Sequence, residues 1–221
     1  MKKVLVIAAH ADDEALGCAG TMLKHVANGD QVHVLFMTDG VSARRGSMRA
    51  VNFRKSNAQQ ACEAIGVNSM DNFDFPDNKM DGIPLLDVVQ AIEVKISEIQ
   101  PEIIYTHHIG DLNIDHQVTH KAVMVACRPQ PDFCVESIYA FEVLSSTEWQ
   151  VPGLNSFCPN VFVNITKHIK EKRAILEIYS DEMRKPSHSR SIENVLNLNS
   201  LRGHSVGAYF SEAFMLIREI K

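Results

Sequence analysis

Two short clusters of histidine and carboxylate residues stand out in the sequence. The first comprises residues 10–14 (HADDE), and the second comprises residues 111–120 (DLNIDHQVTH). Catalytic zinc takes three nitrogen or oxygen ligands from the protein and keeps a position for water, and a carboxylate beside a ligand can act as general base. The two clusters supply both kinds of side chain. We therefore expect a metal-dependent hydrolytic site if the fold brings the clusters together.

Spacing alone leaves the individual roles open. Asp12 and Asp13 are neighbours and cannot point the same way, so one would bind the metal ion and the other would face its bound water. His116 and His120 are four residues apart and would share one face of a helix. An acidic residue in a first helical turn can also simply stabilise the helix dipole.

Both clusters follow runs of buried-strand character. Apolar runs predict strands at residues 4–8, 31–37, 72–75, 102–106, 137–144 and 161–165. Helical spacing and stop signals predict helices at residues 12–27, 47–65, 85–99, 115–127, 166–184, 190–201 and 208–219. This alternation predicts an α/β, Rossmann-like fold, with a mostly parallel sheet flanked by helices and one domain over residues 1–221. Open parallel sheets bind ligands at the carboxyl ends of their strands, where both clusters lie.

Composition excludes several classes of function. The 221 residues are 45% hydrophobic and carry a net charge of −5, so the chain lacks the basic field that holds a phosphate backbone. No apolar run reaches the roughly 18 residues of a membrane span. A dinucleotide-binding module is disfavoured because the GxGxxG fingerprint is absent. The five cysteines have no CxxC spacing, which favours reduced thiols and a cytoplasmic location.

The two clusters resemble the motifs of the LmbE/PIG-L-like zinc N-deacetylases. In that family a strand is followed by His-Pro-Asp-Asp-Glu, and a later segment reads His-x-Asp-His. Residues 10–14 and 113–116 match these motifs, with Ala11 in place of the proline and Asn113 in place of the first histidine. The likeness extends over most of the chain, which resembles the bacterial branch associated with amino-sugar and surface-glycan metabolism.

The resemblance implies one zinc ion per chain, with His10, Asp13 and His116 as its ligands. It further implies that Asp12 is the general base for the attacking water and that Asp115 supports the second cluster. Other divalent metals remain possible, because these ligands alone do not select the ion. Related enzymes often form trimers or hexamers, so we expect a homo-oligomer.

The substitution at Asn113 leaves the proton donor open. In characterised relatives the histidine at this position stabilises the tetrahedral intermediate or protonates the leaving amine. An amide can donate a hydrogen bond to an oxyanion but cannot deliver a proton at neutral pH. The proton would then come from Asp12 after it has accepted one, or from His107 or His108 at the end of the preceding strand.

Other matches indicate where a substrate would bind. Arg54 corresponds to the family's substrate-binding arginine, and Asp77 corresponds to a carboxylate that holds sugar hydroxyls, although Pro-Asp-Asn also favours a turn. His107 and His108 are further candidates for substrate contact. Trp149 is a candidate stacking platform, although interior packing is the commoner role of a single tryptophan. Arg190 could line the substrate mouth.

The leading hypothesis is a zinc-dependent N-deacetylase that removes acetate from an N-acetylated amino sugar, either an N-acetylglucosaminyl glycoconjugate or a nucleotide sugar. A second hypothesis keeps the reaction but changes the substrate to a thiol glycoconjugate of the mycothiol or bacillithiol kind. A third, which Asn113 keeps open, is a metal- or carbohydrate-binding protein without catalytic activity.

Overall fold

A computed structural model describes residues 1–40, 43, 48–153 and 155–221. The strands are β1 (Lys3–Ala8), β2 (Gln31–Thr38), β3 (Ser69–Phe75), β4 (Ile103–His107), β5 (Ser137–Phe141), β6 (Val161–Asn164) and β7 (Ser211–Glu219). The α-helices are α1 (Asp13–Ala27), α2 (Met48–Ile65), α3 (Leu85–Ile99), α4 (Ile114–Ala126), α5 (Ile169–Ile178) and α6 (Ile192–His204). Residue 47, where the second helix was predicted to begin, lies outside the described residues.

All the strands join one seven-stranded sheet in the order β3-β2-β1-β4-β5-β7-β6. The pairs from β3 to β5 are parallel, whereas β7 runs antiparallel to both of its neighbours. The predicted α/β fold with a mostly parallel sheet is therefore confirmed. In the part of the chain that the structure describes, no helix combines the length and apolar character needed to cross a bilayer.

Each face of the sheet carries its own core. Alternate residues of β1 divide between them: Val4 and Val6 join one cluster, whereas Leu5 and Ile7 join the other. Helices α1, α2, α5 and α6 pack together on the first side, and α3 packs against α4 on the second. A continuous apolar run is the pattern expected of a strand that is buried on both faces.

The helix predicted at residues 208–219 is wrong, because this segment forms β7. The strand lies between β5 and β6, where Phe214 contacts Tyr105 and Tyr139 on one face and Ile217 packs into the other core. A short apolar run fits a buried strand as well as a buried helix, and periodicity alone does not separate them. The sheet contacts decide for the strand.

Other predicted boundaries also change. The helix predicted at 166–184 is α5, which follows a short 3-10 helix and ends at Ile178. The helix predicted at 190–201 begins later, after its N-cap Ser191, and continues to His204. The strand predicted at 137–144 ends at Phe141. Most of the residues that fall outside the observed helices and strands lie in loops. Some of those loops reach the site described below.

Helix α1 breaks at Cys18, whose backbone angles (φ −148°, ψ 17°) are not helical. Amide groups freed by the break, at Gly20 and Thr21, donate to the carboxylate of Glu212 on β7 at 2.9 and 2.7 Å. Lys172 of α5 donates to the same carboxylate at 2.6 Å and to the carbonyl of Leu16 at 3.0 Å. A buried ion pair thus satisfies the backbone groups that the kink exposes.

Candidate metal centre and active site

The two clusters identified in the sequence meet at one edge of the sheet. Strands β1 and β4 are parallel neighbours, so their carboxyl ends lie side by side. His10 follows β1 and begins the turn into α1, whereas His116 lies in the first turns of α4, the helix after β4. Adjacent parallel strands therefore bring together residues that are more than one hundred positions apart in the chain.

Three ligand atoms converge at this edge. His10 Nδ1 lies 3.1 Å from Asp13 Oδ2 and 3.2 Å from His116 Nε2, and the latter two atoms are 3.2 Å apart. Tetrahedral zinc at roughly 2.0–2.1 Å from nitrogen and oxygen ligands requires spacings of about 3.3 Å between them. All three side chains are buried. The predicted zinc ligands therefore lie at a spacing that could hold a metal ion.

The outer nitrogen of each of these histidines faces a carboxylate. His10 Nε2 lies 3.1 Å from Asp115 Oδ2 and 3.2 Å from Asp77 Oδ1. His116 Nδ1 lies 3.1 Å from Asp111 Oδ1. A carboxylate partner holds the proton on the outer nitrogen and leaves the inner nitrogen free to bind a metal, an arrangement typical of metal-binding histidines.

The charges around the triad also fit a cation. Burial acts to lower the pKa of His116, but Asp13 and Asp111 outweigh it and raise that pKa to about 9. Burial likewise opposes a charged His10, yet hydrogen bonds to Asp115, Asp13 and Asp77 raise its pKa well above the usual value. Among the described residues, Asp13 Oδ1 is buried without a hydrogen-bond partner. A bound cation would replace the protons that this excess of carboxylates otherwise retains.

Asp12, the predicted general base, has an unusual backbone and two arginine partners. Its φ of 130° lies outside the range that non-glycine residues favour. Arg54 Nη2 lies 3.1 Å from Asp12 Oδ1, and Arg190 Nη1 lies 3.1 Å from Asp12 Oδ2. Burial raises the pKa of Asp12, whereas the charges of Arg54 and Arg190 act to lower it. The two arginines hold the carboxylate in one orientation.

Arg54, the predicted substrate-binding residue, is held in place by several acceptors. Besides Asp12, its guanidinium donates to the carbonyl of Ala11 at 2.9 Å and lies 2.7 Å from Glu182 Oε1. A Cβ atom on Gly40, which has a positive φ of 68°, would lie 2.7 Å from Arg54 Nε. Gly40 therefore makes room for the guanidinium. The role of Arg54 in substrate binding stays a prediction.

Asp115 and Asn113 organise the start of α4. Asp115 accepts hydrogen bonds from the backbone amides of Asn78 and Met80 at 2.6 and 3.0 Å. These bonds fix the loop after β3, which carries the buried Asp77. Asn113 is the N-cap of α4 and accepts from the amide of Asp115 at 2.8 Å, while its own amide donates to Asn78 Oδ1 at 3.2 Å. The catalytic role of Asn113 stays a prediction, because capping a helix does not test it.

His107 and His108 are both buried, and His107 lies against the triad. His107 stacks on His116 with ring centroids 3.8 Å apart, and its Nε2 accepts from the amide of Ala9 at 2.8 Å. Burial, together with the charge of His116, lowers the pKa of His107 well below the usual value. His108 Nε2 lies 2.5 Å from the carbonyl of Asn155. Their predicted contact with substrate stays a prediction.

The sequence analysis overlooked two supporting acids. Asp111 Oδ1 lies 3.1 Å from His116 Nδ1, and Asp111 Oδ2 accepts a hydrogen bond from Thr147 Oγ1 at 2.7 Å. Its place at the head of the second cluster was the available signal. Glu14 accepts from Tyr179 Oη at 2.7 Å. Burial raises the pKa of Glu14 to about 8. No local pattern indicated its contact with Tyr179.

A sequence profile of one family matches much of the chain. The profile, described as "PIG-L: GlcNAc-PI de-N-acetylase", matches residues 5–127. A curated relative, the uncharacterized deacetylase YaiS of Escherichia coli (strain K12), is 29% identical over 169 residues, which cover 74% of this chain and 82% of the relative. Both metal-ligand clusters up to His120 lie inside the matched residues.

Solved structures share the fold. The conserved protein TT1542 from Thermus thermophilus superposes with a TM-score of 0.81 at 22% identity, covering 100% of this chain and 97% of that protein. The N,N′-diacetylchitobiose deacetylase from Pyrococcus horikoshii superposes with a TM-score of 0.80 at 18% identity, covering 98% of this chain and 84% of the other. At this level of identity the likeness establishes the architecture alone.

Proposed function

The chain belongs to the PIG-L family of GlcNAc-PI de-N-acetylases, and on that basis we propose that it is a zinc-dependent hydrolase that releases acetate from an N-acetylated amino sugar. The family description and the diacetylchitobiose deacetylase of the same fold support a sugar substrate. The observation that carries the proposal is the triad of His10, Asp13 and His116, which combines tetrahedral spacing with carboxylates behind both histidines.

The triad would hold the metal ion, and the carboxylates behind it would keep both imidazoles oriented. A zinc ion bound there would polarise the amide carbonyl and make water a better nucleophile at neutral pH. Asp111 and Asp115 would keep one proton on each outer ring nitrogen, so that the inner nitrogens stay available.

Asp12 is suited to move the proton. Its burial raises its pKa and so makes the carboxylate a stronger base, while Arg54 and Arg190 keep it ionised before the reaction. After accepting a proton from the attacking water, Asp12 can return it to the departing nitrogen. This assignment is favoured over His107, because burial and the charge of His116 lower the pKa of His107 and so disfavour its protonated form.

The test combines metal analysis with an assay for acetate. Purified protein is expected to hold about one zinc ion per chain and to release acetate from N-acetylglucosamine or N,N′-diacetylchitobiose. Asp12→Asn should stay folded and metal-loaded but lose roughly 10²–10⁴-fold in rate. Asp132→Asn, which changes an exposed carboxylate, is the matched control and should retain full activity.

Other outcomes would change the assignment. A fully active Asp12→Asn variant would contradict the proposed proton transfer. Zinc content without hydrolysis of any N-acyl substrate would favour a binding protein, and selective turnover of N-acetyl thiol glycosides would favour the thiol-conjugate hypothesis. A panel that contains these substrates together with nucleotide sugars therefore separates the hypotheses in one experiment.

A further inference from the structure

A surface cleft of about 760 Å³ lies beside the candidate active site. One wall is Trp149, and the other consists of residues 185–189 and the first turns of α6. Its volume lies within the range of pockets that bind small molecules. No residue assigned a catalytic role above lines it.

Trp149 is the cleft's most distinctive residue. The indole is 51% exposed, although interior packing is the usual role of a single tryptophan. The 3-10 helix that carries it is fixed, because Thr147 donates to Asp111 at 2.7 Å and Glu148 accepts from the amide of Ser145 at 2.6 Å. An exposed aromatic side chain on an anchored segment binds a ligand with little loss of conformational freedom.

The rest of the lining indicates the chemistry of the ligand. Hydroxyl and amide groups predominate, including Ser187, Asn194 and Asn197. The charged side chains among these described lining residues are Lys185 and Glu193, whose opposite charges cancel. Phosphate groups are normally held by several cations or by bidentate arginines. The balance here favours a neutral ligand rich in hydroxyl groups.

Arg190 links the rim of the cleft to the predicted general base. Ser189 and Ser191 both line it, and Arg190 between them reaches Asp12 at 3.1 Å. The Arg190 Nε atom also donates to Ser145 Oγ at 2.8 Å, close to the anchor of Trp149. A molecule in the cleft would therefore lie within the reach of one arginine side chain from the proposed general base.

We propose that the cleft between Trp149 and residues 185–197 binds a neutral sugar ring linked to the N-acetylated sugar. This inference rests on the proposed deacetylase function and sharpens it. The substrate would be a di- or oligosaccharide, or a comparable neutral glycoside. A nucleotide sugar would place its diphosphate in the same cleft, and the balanced charge of the lining disfavours it.

Intrinsic fluorescence tests the binding step directly, because Trp149 is the only tryptophan in the sequence. Titration with N,N′-diacetylchitobiose is expected to move its emission to shorter wavelength in a saturable manner, since a stacked ring excludes water from the indole. Inorganic pyrophosphate should leave the emission unchanged. Asn197→Ala keeps the fluorophore and should weaken the response to the disaccharide.

Kinetics provide an independent measurement. Trp149→Ala should lower kcat/KM for the disaccharide about tenfold more than for N-acetylglucosamine, through KM. Trp149→Phe should recover much of the loss. Tyr209→Ala removes another exposed aromatic side chain, 71% exposed and outside this cleft, and should leave both substrates unaffected.

The outcomes separate the two proposals. Acetate release without any fluorescence response to the disaccharide, or an equal effect of Trp149→Ala on both substrates, would overturn the sugar subsite and leave the deacetylase intact. A saturable fluorescence response without acetate release from any substrate would overturn the deacetylase and retain sugar binding. A response to pyrophosphate as strong as that to the disaccharide would refute the neutral-ligand assignment.

Discussion

Replacing Lys172 by methionine should strongly destabilise the protein. The ammonium group lies 2.6 Å from Glu212 Oε1, and both side chains are at most 1% exposed. Removing one member of a buried, hydrogen-bonded ion pair leaves the other charge uncompensated, which costs about 3–5 kcal/mol. The carbonyl of Leu16 also loses its donor. A domain of this size is typically stable by only about 5–15 kcal/mol, so the loss is a large fraction of the total.

Thermal unfolding followed by circular dichroism measures the effect. For a chain of this length, about 3–5 kcal/mol corresponds to a fall in Tm of about 6–20 °C. Lys170→Met, which changes an exposed lysine on the same helix, is the control and should shift Tm by little. In the double variant Lys172→Met/Glu212→Gln, the loss should be smaller than the sum of the single losses. Additive single effects, or a Tm shift below about 2 °C for Lys172→Met, would refute the argument.

Two further predictions concern metal affinity. At pH 9, Asp111→Asn should weaken zinc binding about 10–100-fold, because His116 loses the carboxylate behind Nδ1. A chelator competition assay measures the affinity. An unchanged affinity would contradict the role of Asp111 in orienting His116. In the unaltered protein, affinity should rise at least about tenfold per pH unit between about pH 7 and 9, because the raised pKa values of His116 (about 9) and His10 mean that the ion displaces protons from both ligands. An affinity that does not change with pH would contradict the assignment of these two histidines as ligands.

Much of the fold followed from local patterns. The run Val4–Ala8 is apolar at every position, and the sequence analysis interpreted it as a strand buried on both faces, as β1 is. The helix predicted at residues 208–219 is wrong, because a short apolar segment has no periodicity that distinguishes a strand from a helix. Only pairing with β5 and β6 gives this segment its conformation. The residue type of Trp149 likewise did not indicate whether its side chain is buried or exposed.

The sequence by itself determined which residue types stand at the ends of β1 and β4. Parallel strands of one sheet end at the same edge, so the sequence made a meeting of His10 with His116 possible, and the pairing of β1 with β4 in the folded sheet brought it about. The tertiary structure decided which carboxylate lies behind each imidazole, and it brought Arg190 to Asp12 across 178 positions. Such contacts depend on loop paths and side-chain packing between distant segments. No local propensity encodes them, since each segment only acquires its partner when the chain has folded.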